Sequence, residues 1–434
     1  MSPDARLTTR ASEEVICHHA NRGPITIATF LAEVAALAAR LPGQGHAVDL
    51  CEDRYLSLVG FAAALSRGHP VLLGGGRGAA ARFLPAAAAG FPGAYILADH
   101  AEPGGALPVL RADAAEPGPR PGPLLPVPPD RVAAIAFTSG STGTPTAHPK
   151  PWGALLAGAD AAAERFDLLQ GPSSIVATVP AQHMYGFETT LMLPLRAPVA
   201  IHAGAAFFPS DVLAALEAVP PRRVLVTTPL HLRALLAAGR PSQMAAVISA
   251  TAPLARELAE AVERDWAAPM LEIYGATEAG SMASRRTLED ADWLPYRGVA
   301  ITTEAALVPG IGEVPLADVL EPGPGGRFRL LGRRADLVKL GGKRVSLAEL
   351  NRALAAVPGV VDGAFVAPED LEANPAARLT AYVVAPGRSA AQILEGLRQH
   401  LDPAFLPRRV AMVPSLPRDA LGKLPRRALE ALGA

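Results

Sequence analysis

The chain has 434 residues, half of them apolar and only 19% charged, with 40 Lys plus Arg against 41 Asp plus Glu. That composition suits a globular protein and argues against extended disorder, while the near-zero net charge provides no field to draw it to nucleic acid or an anionic membrane. A single hydrophobic core stops growing at roughly 250–300 residues, so two or more domains are expected.

The N-terminal stretch MSPDARLTTRASEEVICHHANRG is polar, and no later segment offers about 18 uninterrupted apolar residues, which predicts a cytoplasmic protein. Cys17 and Cys51 have neither the number nor the spacing of a disulfide framework or zinc site and are expected as buried thiols. Phe30, Val34, Leu37 and Leu41 recur at helical spacing, and short apolar runs such as Val71 to Leu73 end in glycines. The alternation predicts an α/β protein with a mainly parallel sheet. From Ala101 to Asp130 the chain is rich in Pro and Gly and reads as a surface connector without regular structure.

Val132 to Phe137 reads as a buried strand that runs directly into Thr138, Ser139, Gly140, Ser141, Thr142, Gly143 and Thr144. Glycines allow close backbone approach, and successive N–H groups and hydroxyls can form a nest around phosphate oxygens. Composition alone also admits an ordinary Ser/Gly turn. The GxxxxGK[ST] phosphate loop is excluded, because no Lys-Ser or Lys-Thr pair follows the second glycine.

Further on, Ser210 is placed to cap a helix through Glu217, Pro253 to Trp266 reads as another helix, and Met270 to Tyr274 as a buried strand ending in GATE. Mg2+ favours a hard carboxylate oxygen beside phosphate, which suits Glu278, and an aromatic face such as that of Tyr274 suits a purine. Standing alone, Glu278 also reads as a solvated loop acid. After PGPGG the composition turns basic, and a region of about 100 residues begins near Arg333 to Asp336. There Ser346 and Glu349 form S-x-x-E ahead of an apolar run, a helix capping box that accounts for both without catalysis. Lys423 follows a glycine near the chain end, where an isolated lysine is ordinarily a surface charge.

In this order, TSGSTGTPT (138–146), YGATE (274–278), GRRADLVKLGGKRVSLAEL (332–350) and PRDALGKLPRR (417–427) resemble the adenylate-forming superfamily of acyl-CoA synthetases, peptide-synthetase adenylation domains and firefly luciferases. The resemblance covers most of the chain from about residue 25. It implies a large N-terminal domain, residues 1–332, of mainly parallel sheets flanked by helices, and a small mobile α+β C-terminal domain, residues 333–434. It implies ATP and Mg2+ as well. Thr138, Ser139, Gly140, Ser141, Thr142 and Gly143 are then expected to cradle phosphates, Tyr274 to pack on adenine, and Asp318 with Arg333 to hold the ribose hydroxyls. Thr277 is expected to touch the α-phosphate, Glu278 to help hold the metal, and Lys423 to place its ammonium between the substrate carboxylate and the α-phosphate.

The implied reaction is activation of a carboxylic acid to acyl-AMP, then transfer to the pantetheine thiol of an acyl carrier protein, the preferred acceptor, or of coenzyme A. The segment PAQHMYGFE, residues 180–188, resembles the lining of the acyl pocket and nominates His183, Tyr185 and Gly186, together with Gly275. Peptide-synthetase domains usually carry an aspartate there for an α-ammonium; this chain has His183 and Met184, so an aryl acid or a short or hydroxylated acyl acid is expected. By itself His183 also reads as a satisfied core histidine, and Tyr185 as core. The sequence departs from the family at Thr146, where Lys or Arg usually follows the proline and the first lysine is Lys150, and at the hinge, where Ala335 replaces an acid with Asp336 beside it. Ala250 and Thr251 stand where glycines are common. Thr146 and Ala335 keep open a regulator that binds nucleotide or carrier protein on the same fold without turnover, whereas Lys423 and Glu278 favour an active ligase.

Overall fold

The computed structural model describes residues 6–74, 77–100, 107–113, 126–139, 145–204, 206–334, 337–340, 343–368 and 378–418, with 424, 428, 429 and 432. It forms two compact units, one of Met1–Ile301 with Ala306–Val314, the other of Thr302–Ala305 with Pro315–Ala434.

Among its described residues the first unit holds a nine-stranded and a six-stranded sheet. In the larger sheet Val15–His19, Val199–His202, Ser173–Ala177, Arg223–Thr227, Met244–Ser249 and Met270–Ala276 lie side by side in parallel. Gly280–Arg286 and then Leu294–Pro295 continue it antiparallel at one edge, and Gly23–Thr26 does so at the other. In the smaller sheet Val109–Arg111, Ala94–Ala98, His46–Asp49, Val71–Leu73 and Val132–Ser139 are parallel, and Pro145–Pro151 returns antiparallel at the edge. Ser173–Ala177 and Arg223–Thr227 are buried along their whole length, the pattern of parallel strands covered on both faces.

The helix Ile27–Arg40 buries Ile27, Phe30, Val34 and Leu37, the stripe its sequence spacing predicts, and Thr26 caps it by accepting the Thr29 N–H. Cys17 and Cys51 are free and buried, and burial pushes both thiols well above their ordinary range, so neither is a ready nucleophile. Two expectations are corrected. The Pro/Gly-rich connector contains regular structure, since Val109–Arg111 pairs in parallel with Ala94–Ala98; its apolar pair Val109–Leu110 is lost among nearby prolines and glycines when composition is averaged. The helix expected from Ser210 is Pro209–Ala218 with Phe208 as its N-cap and no side-chain cap. Pro209, whose ring fixes a helical φ and whose missing N–H costs nothing in the first turn, sets that start.

In the second unit Asp318–Pro322 pairs with Phe328–Arg333, and Leu337–Leu340 with Lys343–Ser346. Asp362–Val366, Thr380–Val384 and Arg409–Met412 form a further sheet. Its core gathers Val338, Leu350, Leu354, Phe365, Ile393 and Leu397, side chains of strands and of the helices Leu347–Ala355 and Ala390–Arg398. This is the α+β arrangement expected of the C-terminal part. Ser346 Oγ accepts the Glu349 N–H at 3.1 Å, so the S-x-x-E pattern does open a helix. Among the described residues no helix is long and apolar enough to cross a membrane.

Candidate active site

In open parallel sheets ligands bind beyond the carboxyl ends of the strands. Val132–Ser139 carries Thr138 to such an end, and Pro145–Pro151 returns with Thr146 opposite Thr138. Gly140, Ser141, Thr142 and Gly143 lie outside the described residues, as does the side chain of Ser139. Strand alternation puts Thr146, His148 and Lys150 on one face of the returning strand. His148 Nε2 is 2.8 Å from Thr138 Oγ1. Burial, with the ammonium of Lys150, holds the His148 ring below its ordinary pKa, against the pull of Glu278. The imidazole is therefore neutral near pH 7.

Lys150 is fully buried, at 0% exposure, and its ammonium donates to the backbone carbonyl of Glu278. Burial brings its pKa down to about 8, against the attraction of the Glu188 and Glu278 carboxylates. Thr277 and Glu278 lie half-buried in the turn between Met270–Ala276 and Gly280–Arg286, where the Ala279 N–H donates to Ala276 O at 3.1 Å. Gly275 has no room for a side chain, because a Cβ there would stand 2.6 Å from Gly280 O. On the far side of the turn the Ser281 N–H and hydroxyl donate to Glu188 at 3.0 and 2.6 Å. Burial raises the Glu188 pKa, with those donors and Lys150 opposing it. Lys150, Met184, Glu188, Ser281 and Tyr296 line one cavity, and the buried Tyr296 hydroxyl finds no partner among the described residues. Tyr274 is buried on the strand leading into the turn, its ring tilted against Trp293 at 5.8 Å between centroids.

The segment 180–188 reaches the same place. His183 is the N-cap of the short helix Met184–Phe187, which passes into a π-helical turn, Glu188–Met192. A Cβ on Gly186 would meet Pro180 O at 2.0 Å, so only glycine fits the fold-back. Tyr185 donates its hydroxyl to Ile248 O at 2.8 Å and Thr227 O at 3.2 Å, anchoring the segment to two strand ends. Buried polar groups that no sequence motif announces hold it from beneath. The Arg54 guanidinium donates to Val179 O, Ala177 O and Thr190 Oγ1 at 3.0–3.1 Å, and Gln182 Nε2 to Asp49 Oδ2 at 3.0 Å and Cys51 O at 2.9 Å. Burial lowers the Arg54 pKa to about 10, which leaves it a cation at neutral pH. The one available signal was Arg54 and Ser57 near the start of a largely apolar helix, RYLSLVGFAAALS. After the strand Met244–Ser249, Thr251 adopts φ 78°, a conformation natural to the glycine common at this place, and its Oγ1 and that of Ser249 are buried without partners among the described residues.

The first unit thus brings together the stem of the glycine-rich loop, the GATE turn and the 180–188 segment. In the second unit Asp318 and Arg333 are register partners on adjacent strands, with Arg333 Nε 4.0 Å from Asp318 Oδ1. Lys423, Ala335 and Asp336 lie outside the described residues; Lys343, beyond the glycine pair, forms an ion pair with Asp402. Among the described residues no group of three or more His, Cys, Asp or Glu is arranged to hold a metal. A half-buried carboxylate beside the glycine-rich loop nonetheless fits magnesium, which is usually held by one or two carboxylates, substrate phosphates and water. Glu278 has such a carboxylate.

Residues 94–315 match the family described as AMP-binding enzyme. A 4-coumarate–CoA ligase of Halorhodospira halophila is 33% identical over 299 residues, which cover 66% of this chain and 73% of that one. Among solved structures, ATP-bound MatB from Rhodopseudomonas palustris superposes with a TM-score of 0.84 at 21% identity, covering 99% of this chain and 98% of that one. O-succinylbenzoate coenzyme A synthetase (MenE) from Bacillus subtilis, in complex with ATP and magnesium ion, gives 0.82 at 18% identity, covering 96% and 97%.

Proposed function

Because the chain belongs to the AMP-binding enzyme family, within the adenylate-forming superfamily, we propose that it activates a carboxylic acid with ATP as an acyl-AMP and passes the acyl group to a pantetheine thiol. The observation that carries this reading is the convergence of the loop stem at Thr138, the Thr277–Glu278 turn and the 180–188 segment at the carboxyl ends of parallel strands. Phosphate, metal and acid are thereby offered adjoining places.

The acid's carboxylate oxygen attacks the α-phosphorus, and the bond to the β-phosphate oxygen breaks to release pyrophosphate. Both reactants are anions, so the residues must position them and offset the charge that develops. The Thr138–Gly143 loop is assigned to the phosphates, Thr277 to the α-phosphate, and Lys423 to the cation between carboxylate and phosphate. Glu278 is assigned to magnesium, which when bound with ATP neutralises the leaving pyrophosphate. Asp318 and Arg333, side by side on their hairpin, supply an oxygen acceptor and a donor of the kind that recognises a vicinal diol. ATP and magnesium are further supported by the complexes in which the structural neighbours were solved.

An aryl acid without an α-amino group is the preferred substrate class. The segment 180–188 has no aspartate for an ammonium, and a relative acts on 4-coumarate by its name. The acceptor is taken as the pantetheine thiol of coenzyme A or of an acyl carrier protein; the names of the relatives favour the former. ATP–pyrophosphate exchange across aryl, fatty and hydroxy acids tests the proposal. Exchange that depends on one class of acid and collapses in Lys423→Ala supports it. ATP binding without exchange for any acid favours the regulator instead.

A further inference from the structure

The lysine or arginine usual after the loop proline is missing, yet a lysine occurs four residues later on the same face of the returning strand. Its placement is unusual. A fully buried ammonium is costly, and a hydrocarbon side chain would fill the site more easily. Among the described residues no carboxylate lies within ion-pairing distance of Lys150; its hydrogen bond goes to the Glu278 carbonyl, while the Glu188 and Glu278 carboxylates face it from farther away.

We infer that Lys150 is a positioning residue for the nucleotide-bound metal: by holding the Glu278 carbonyl it sets where the Glu278 carboxylate stands relative to the stem of the phosphate loop. The inference rests on the ligase reading proposed above. A peptide plane held at its carbonyl fixes the Cα–Cβ direction of the same residue, and therefore the arc its carboxylate can reach. The other flank of the turn is held by Glu188 through the Ser281 N–H and hydroxyl. On the same strand, His148 engages Thr138. The strand Pro145–Pro151 thus ties both the loop stem and the metal-side turn into one frame, and Lys150 is the tie to the turn.

The test is calorimetric titration of wild type and Lys150→Met with ATP plus magnesium and with ATP plus EDTA, neither of which requires turnover. Removing a group that orients a metal ligand typically weakens metal binding by about 10–100-fold. The expected result is a loss of about tenfold or more for magnesium-ATP with metal-free ATP within about twofold of wild type, and partial recovery in Lys150→Gln, which keeps an N–H donor. In Glu278→Gln, adding Lys150→Met should then cost little, because the two act through one ligand. If Lys150→Met does not fold, Lys150→Leu, which likewise lacks a donor, carries the same comparison. Equal losses with and without magnesium, no loss at all, or additive losses with Glu278→Gln overturn the inference. Wild type that binds magnesium-ATP but shows no exchange with any acid defeats the ligase reading alone, and wild type that binds no nucleotide defeats both.

Discussion

Nε2 of His148 lies 2.8 Å from Oγ1 of Thr138, so the strand that leaves the glycine-rich loop grips the residue on which that loop begins. His148→Leu removes this bond with little change in bulk. A neutral hydrogen bond contributes about 1 kcal/mol, so ATP affinity should fall roughly fivefold while the melting temperature changes little. Calorimetry with ATP checks this; unchanged affinity would show that the Thr138 hydroxyl needs no external support.

Arg54→Met should destabilise the first unit by about 2–4 kcal/mol, because the Ala177 and Val179 carbonyls and the Thr190 hydroxyl lose a buried donor. Those groups flank residues 180–188, so KM for the acid should rise more than KM for ATP. Urea unfolding and steady-state kinetics separate the two effects. A fully stable variant with an unchanged acid KM would contradict the anchoring role.

Thr251→Gly should stabilise the protein by about 1 kcal/mol. A β-branched residue at φ 78° carries strain of about 1–3 kcal/mol, and its hydroxyl is buried without a partner among the described residues, whereas glycine returns about 0.5–1 kcal/mol through the freedom of the unfolded chain. Thermal unfolding reads the sign directly. If the glycine variant melts lower, Thr251 has a stabilising contact with a group outside the described residues.

Glu263 accepts from Arg286 Nε and Nη2 at 3.1 and 2.7 Å and from the Met270 N–H at 3.0 Å, bracing the hairpin that ends in GATE. The Arg286 hydrogen bond leads in holding its carboxyl below the ordinary range; burial opposes and the Met270 N–H assists. A depressed folded-state pKa means the stabilisation is fully present above the unfolded value near 4.5 and is lost as pH falls through the lower folded value. Glu263→Gln should therefore cost about 1 kcal/mol at pH 7, discounted for the partial exposure of Arg286, and the cost should vanish in acid. Urea unfolding at pH 7 and at pH 3 compares the variants; a pH-independent cost would assign the effect to packing.

Much of this was legible in the sequence wherever a short run combined a strand with turn chemistry. The strands Val132–Ser139 and Met270–Ala276 end in loops whose glycines and hydroxyls already suggest close approach to a ligand, and Gly275 and Gly186 prove to have no space for a Cβ. What stayed hidden depends on contacts far apart in the chain. Lys150 and Glu278 are 128 residues apart, and Arg54 is separated from Val179 by 125, so no local pattern reports either pair. The strand Pro145–Pro151, broken up by prolines, was not read from the sequence, and only its packing against the GATE turn shows what the face carrying His148 and Lys150 meets. Ser210 failed as a cap because the neighbouring proline claimed the first helical position.

Acid activation through an adenylate has one signature that binding cannot imitate. With both carboxylate oxygens labelled with oxygen-18 in whichever acid supports pyrophosphate exchange, the protein, ATP, magnesium and a pantetheine thiol should give AMP carrying one labelled oxygen, because the carboxylate oxygen that bridges to phosphorus stays with AMP when the thiol takes the acyl group. Label in AMP, lost together with thioester formation in Lys423→Ala, is the result expected. Label in inorganic phosphate, or unlabelled AMP formed alongside thioester, would contradict adenylation as the route.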